Sequence, residues 1–206
     1  MLELVRKDMP LKGWITTYET KINNPKMDKQ IKKIIDSQGD RQKHSSNVKA
    51  QMTEWIMQDQ PGFKELAVII KQMAFEGSLK QFNREINPEI SDMWGMKYKS
   101  NDHTIPHDHW PSLWSFAYYL NAPKDAPGLF FPEMGEQGGE RRLEQGLLIM
   151  FQGNIKHAVR QTNFKGYRYV VSANVSDKQT NLPSKELKQK DLKSIIKLDD
   201  YENLKV

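Results

Sequence analysis

From Ile90 to Val175 the chain alternates short runs rich in Trp, Tyr, Phe, Ile and Val with breaks that carry Gly and Pro. This punctuation constrains the fold more than any other feature. The runs are residues 93–98, 113–120, 128–131, 147–151, 157–161 and 168–175. Each has the length of a strand, and β-branched and aromatic side chains suit a pleated surface. Several short strands in close succession predict a β-sandwich or barrel. The first half reads differently. In residues 27–35 (MDKQIKKII), Ile31, Ile34 and Ile35 form one stripe, after the turn residues Asn23, Asn24 and Pro25 and before Gly39. Residues 48–57 fit a second helix. Residues 63–75 (FKELAVIIKQMAF) carry the strongest helical pattern, with Phe63, Leu66, Ile70 and Met73 on one face and Gly77 as the stop. The charged stretch after Pro183 reads as a last helix with a solvated face. The expectation is one α+β domain: a mainly helical part over 1–89, a β core over 90–176 and a helical tail over 177–206.

Composition narrows the chemistry. The chain has 206 residues, enough for a sizeable core, since a chain near 150 residues already buries about two-thirds of its unfolded surface. There is no cysteine, which excludes disulfides, thiolate zinc sites, iron–sulfur clusters and a cysteine nucleophile, and fits a reducing cytosol. The N-terminal residues lack the apolar core of a signal peptide, and no run approaches 18 apolar residues, so no membrane span is expected. The net charge is +5, but the basic excess sits in residues 1–50 and 151–206 while the middle is acidic. A nucleic-acid groove wants a coherent basic stripe with interleaved aromatics, so nucleic acid is not indicated. Neither a G-x-S-x-G nor a P-loop pattern is present, which leaves hydrolase and NTPase readings unsupported.

Histidine placement is the candidate site. Three of the five histidines, His103, His107 and His109, fall within seven residues. If this stretch is extended, His107 and His109 share a face and Asp108 points the other way. Two imidazoles on one face suit a metal, with His157 as the third ligand across the Gly-rich segment. His44 lies in a polar loop and His103 reads as a loop residue. In the last run, Arg168, Val170, Ser172 and Asn174 share one face, and Tyr169, Val171, Ala173 and Val175 the other. The planar guanidinium of Arg168 matches a carboxylate bidentately; a strand-end arginine reaching solvent is the plainer alternative.

Taken in order, His107-x-His109, the strand over 114–120, the run GLLIMFQGNIKH ending at His157, and then Arg168 and Ser172 resemble the iron(II)/2-oxoglutarate-dependent dioxygenases, in their prolyl-4-hydroxylase-like branch. Within that branch the chain is most similar to the oxygenases of marine T4-like bacteriophages, a likeness that covers about residues 90–176 and also touches 47–55. The resemblance implies a double-stranded β-helix (jelly-roll) core with N-terminal helices packed on it, and a place in the host cytoplasm. It implies Fe(II) held by His107, His109 and His157. It implies 2-oxoglutarate with its distal carboxylate on Arg168, helped by Ser172. Tyr98 takes the place of the branch's strand tyrosine, and Thr104 stands where the family often has a tyrosine that contacts 2-oxoglutarate. The implied reaction couples decarboxylation of 2-oxoglutarate to succinate, with O2, to oxidation of a substrate that the sequence does not identify. Trp94, Trp110, Trp114, Tyr118 and Tyr119 are candidate walls, and the loop over 132–146 a candidate lid.

One departure from the family matters. His109 stands at the usual carboxylate position. Three histidines plus water is also a pattern of catalytic zinc. Asp108 could serve only through a bulge, and Asp102 is a remoter substitute. A three-histidine metal site on a cupin-like barrel without 2-oxoglutarate, and a non-catalytic jelly-roll binding module, are the competing readings.

Overall fold

A computed structural model describes residues 5–8, 16–134 and 139–178. The expected helix after Pro183, and residues 135–138 of the expected lid, lie outside the described residues. Twelve elements of strand and α-helix follow one another: β1 (Val5–Asp8), β2 (Thr16–Lys21), α1 (Pro25–Gln38), β3 (Val48–Lys49), β4 (Gln51–Met52), α2 (Phe63–Phe82), β5 (Pro88–Tyr98), β6 (His103–His107), β7 (Trp114–Tyr119), β8 (Leu147–Gln152), β9 (His157–Val159) and β10 (Arg168–Asp177). The first 89 residues thus hold both described helices and four strands as well.

Local chemistry explains most of these boundaries. The side chain of Asn24 accepts from the Met27 N–H at 3.0 Å and caps α1, with Pro25 at the first helical position. Gly39, at φ 66°, ends it. The expected helix over 48–57 is not formed. Val48, Ala50 and Met52 are buried while Lys49 and Gln51 are only partly so, a period of two rather than 3.6. That alternation makes β3 and β4, which pair with β6 and β5. Gly77 does not stop α2, which runs on to Phe82 and ends at Asn83 in the left-handed conformation, φ 50°. Gly77 is a contact glycine: a Cβ there would lie 2.1 Å from Cε of Met150 on β8. The run 128–131 is not a strand but carries isolated bridges from Phe130 to Ala158 and Glu140.

The strands form two antiparallel sheets. The larger has the order β1-β2-β8-β7-β10-β5-β4, and the smaller β3-β6-β9. Alternate residues of the central strands serve two different cores. Trp114, Phe116 and Tyr118 of β7, and Val171, Ala173 and Val175 of β10, pack under α1 and α2. Ala117 and Tyr119, and Val170 of β10, face the smaller sheet. β7 is buried at every position for this reason. Each large apolar side chain so buried contributes roughly 1.5–3 kcal/mol. The result is an α+β double-stranded β-helix with both helices on the outer face of its larger sheet. None of the described helices is long and apolar enough to cross a membrane.

Candidate metal and carboxylate site

Strand β6 and strand β9 build the histidine cluster. They run antiparallel, and His107 is directly opposite His157. His109 follows two residues beyond the end of β6, fixed by its backbone N–H to the Gly153 carbonyl at 2.7 Å. The three rings lie 4.5–4.9 Å apart between centroids. One nitrogen from each falls within 4.8 Å of the others, so the group could hold a metal ion. Nδ1 of His107 faces the Ile105 carbonyl at 2.8 Å, and Nδ1 of His157 faces the Ile155 carbonyl at 3.1 Å. A carbonyl only accepts, so both Nδ1 atoms carry the proton and both Nε2 lone pairs are free. Burial lowers the pKa of all three imidazoles, that of His157 well below its usual range. For His109, burial and then the neighbouring His107 bring it to about 4. Neutral imidazoles are the form that binds metal.

The alternative ligands point elsewhere. Asp108 is exposed and its Oδ1 accepts from the Trp110 N–H at 3.2 Å. Asp102 accepts from the Lys99 N–H at 2.9 Å. His44 pairs with Asp40 at 3.3 Å, and His103 faces the Asn101 carbonyl at 3.3 Å. None joins the cluster.

Between the two sheets a narrow cavity joins the histidines to Arg168. Tyr98, Thr104, Ser172, Trp94 and Tyr119 line it, together with apolar side chains including Val48, Leu129 and Val170. Register sets its length. Arg168 is opposite Tyr98 and Ser172 opposite Trp94, four residues of strand or about 13 Å apart. The Trp94 end is the metal end, since its ring lies 5.8 Å from that of His109. Arg168 is 1% exposed, stacks its guanidinium 3.9 Å over the Tyr98 ring, and donates from Nη1 to the Pro127 carbonyl. Its buried Nε has no hydrogen-bond partner among the described residues. Among the described residues lining the cavity, Arg168 is the one permanent charge and none is a carboxylate. The Tyr98 and Thr104 hydroxyls are 2.7 Å apart. Burial raises the pKa of Tyr98 and takes that of Tyr119 to about 12, so both phenols stay neutral.

All seven residues singled out in the sequence, His107, His109, His157, Arg168, Ser172, Tyr98 and Thr104, line this one cavity. The expected walls divide. Trp94 and Tyr119 line it. Trp114 donates to Ser78 at 2.8 Å and Tyr118 to Asp28 at 2.7 Å, both under the helices. Trp110 is 75% exposed. Sequence reasoning missed a row of polar residues behind His109. Asn174 Nδ2 lies 3.3 Å from His109 Nδ1 and 2.9 Å from Asp92 Oδ2, and Ser115 donates to Asn174 Oδ1 at 2.9 Å. Its one signal was Asn174 on the same strand face as Arg168 and Ser172.

Comparison with known proteins places the fold. No protein-family model matches the chain, and no curated protein matches it in sequence. Solved structures do match. A prolyl-4-hydroxylase of Pseudomonas putida aligns with a TM-score of 0.55 at 11% identity, over 79% of this chain and 93% of its own. The viral collagen prolyl hydroxylase of Paramecium bursaria Chlorella virus-1, in its 2-oxoglutarate complex, aligns with a TM-score of 0.53 at 15% identity, over 76% and 94%. HygX of Streptomyces hygroscopicus, with nickel, 2-oxoglutarate and hygromycin B bound, aligns with a TM-score of 0.57 at 8% identity, over 79% and 83%. The chain has the fold of these proteins. At such identities the likeness is one of fold alone.

Proposed function

We propose that the chain is an iron(II)- and 2-oxoglutarate-dependent oxygenase. The observation that carries this reading is the pairing of charges inside one cavity. A buried guanidinium with an unpartnered Nε faces a space with no carboxylate among its described lining residues, while two free Nε2 lone pairs wait at the other end. A buried, unpaired cation is costly. A dianion that reaches from the histidines to Arg168 satisfies both ends.

The donor set fits the implied metal. His107 and His157 hold it through Nε2, with His109 at the third corner of the cluster. The two Nδ1–H···carbonyl bonds orient those rings. Bound there, a redox-active metal supplies the activation of O2 that couples decarboxylation of 2-oxoglutarate to substrate oxidation. The chain's own residues do the rest. Arg168 holds the distal carboxylate, and its stacking on Tyr98 fixes the plane of the fork. Ser172, Tyr98 and Thr104 offer hydroxyls along the cavity. Val48, Leu129, Val159 and Val170 keep water out.

Ligand-dependent stabilisation tests this. A ligand at about a hundred times its Kd adds about 2.7 kcal/mol, which for a domain of this size is a rise of roughly 5–10 °C in Tm. 2-Oxoglutarate is expected to raise the Tm of the full chain when Mn(II) or Fe(II) is present, and to do so far less with metal absent or in Arg168→Met. No rise under any metal overturns the reading.

A further inference from the structure

We propose that Asp92 and Asn174 hold His109 as its Nε2–H tautomer, so that the third imidazole of the cluster presents a hydrogen-bond donor to the metal position rather than a third lone pair. The identity of the metal rests on the oxygenase reading; the protonation of the ring does not.

The assignment follows from one group that can only accept. Asp92 is a carboxylate, so the atom of Asn174 that lies 2.9 Å from its Oδ2 is the amide nitrogen. The other amide atom, Oδ1, is taken by the Ser115 hydroxyl at 2.9 Å. Asp92 therefore fixes the orientation of the amide, and the Ser115 hydroxyl, which can donate or accept, fits it. Its NH2 has two protons. One goes to Asp92 and the other faces Nδ1 of His109 at 3.3 Å. Nδ1 must then be the lone-pair nitrogen, and the proton of the neutral ring is on Nε2. His107 and His157 are the reverse, because a backbone carbonyl faces each Nδ1.

Strand register makes this row hard to rearrange. Asn174 is opposite Asp92 across β10 and β5, and opposite Ser115 across β10 and β7. Asn174 is 6% exposed, so water does not replace its partners. Asp92 takes a further bond from Ser91 at 3.0 Å. Ligation by Nε2 of His109 needs its proton to move to Nδ1. Asn174 would then have to turn its Oδ1 toward that proton, which sets Oδ1 against the Asp92 carboxylate, acceptor on acceptor. The pair Asp92–Asn174 thus favours a metal held by two histidines. His109 Nε2–H would then be left as a hydrogen-bond donor beside the metal position. Asp92 and Asn174 are positioning residues, acting through His109.

Long-range 1H–15N correlation spectra of the metal-free chain, labelled at histidine, read the tautomers directly. The expected result is Nε2–H on His109 and Nδ1–H on His107 and His157. Asp92→Asn is expected to release Asn174 and shift His109 toward Nδ1–H. A second measurement uses Co(II) affinity. His109→Ala is expected to stay within about 3-fold of the parent and His157→Ala to lose at least about 100-fold. Asp92→Asn is expected to tighten Co(II) by about 10-fold, and the gain is expected to vanish in the double variant with His109→Ala; outer-shell changes of this size are typical. Nδ1–H on His109 in the metal-free parent overturns the proposal. So does a loss in His109→Ala as large as that in His157→Ala, or a weaker Co(II) affinity in Asp92→Asn. If the parent binds no Co(II) at all, the oxygenase reading fails, and the histidine spectrum still decides the tautomer.

Discussion

Arg168 and the histidines set what the site can bind, and each makes a different prediction. Arg168→Met keeps the apolar stem and removes the fork. Hydrogen bonds to charged groups contribute about 1.5–3 kcal/mol, so 2-oxoglutarate affinity is expected to fall about 10- to 150-fold, measured by calorimetric titration of the metal-loaded chain. The free protein should lose little stability, because the variant also removes a buried charge with an unpartnered Nε. The imidazoles predict a pH dependence. Burial lowers all three, and His109 reaches about 4, against about 6.5 in the unfolded chain. Between these values the unfolded chain binds more protons than the folded one, so stability falls as pH drops below about 6.5, and the share due to His109 levels off below about 4. Thermal melts of the metal-free protein at pH 7.5, 6 and 5 should show a falling Tm; a flat profile contradicts the neutral cluster. At this scale much of the site was legible. The i, i+2 rule placed both imidazoles of His107-x-His109 together, and strand alternation placed Arg168 with Ser172. Asp92 was not legible. Its role depends on the register of β5 against β10, a pairing between residues 82 apart in sequence.

At the scale of elements, the second half of the chain was read better than the first, for a physical reason. Strands buried on both faces, such as β7 and β8, are dense in apolar and aromatic residues and announce themselves. The two-residue strands β3 and β4 are too short for their period of two to stand out, so residues 48–57 read as helix. Gly77 misled in a related way. Glycine stops helices when it supplies a left-handed residue, but here Asn83 does that and Gly77 makes room for Met150. This separates two substitutions. Gly77→Ala gains roughly 1 kcal/mol of helix propensity and meets only the mobile end of Met150, so it should stay close to neutral. Gly77→Val adds two further methyl groups against β8 and should destabilise by about 1–3 kcal/mol. Urea unfolding of both variants checks this; a gain in stability in both would mean that no contact with β8 requires the glycine.

Across the whole molecule, the fold supplies two cores and places the chemistry in only one of them. The helices seal the outer face of the larger sheet, and the smaller sheet covers the inner face, leaving a cavity with the histidines at one end and a lone guanidinium at the other. Among the described residues that line this cavity the one permanent charge is Arg168, in keeping with a small anionic cosubstrate. An anaerobic titration with Fe(II) and then 2-oxoglutarate, followed by visible absorption, is the direct test. A charge-transfer band should appear only after both additions, weaken in Arg168→Met and vanish in His157→Ala. Absence of the band at saturating Fe(II) and 2-oxoglutarate, with Zn(II) bound tightly instead, would contradict the oxygenase and leave a zinc site in its place.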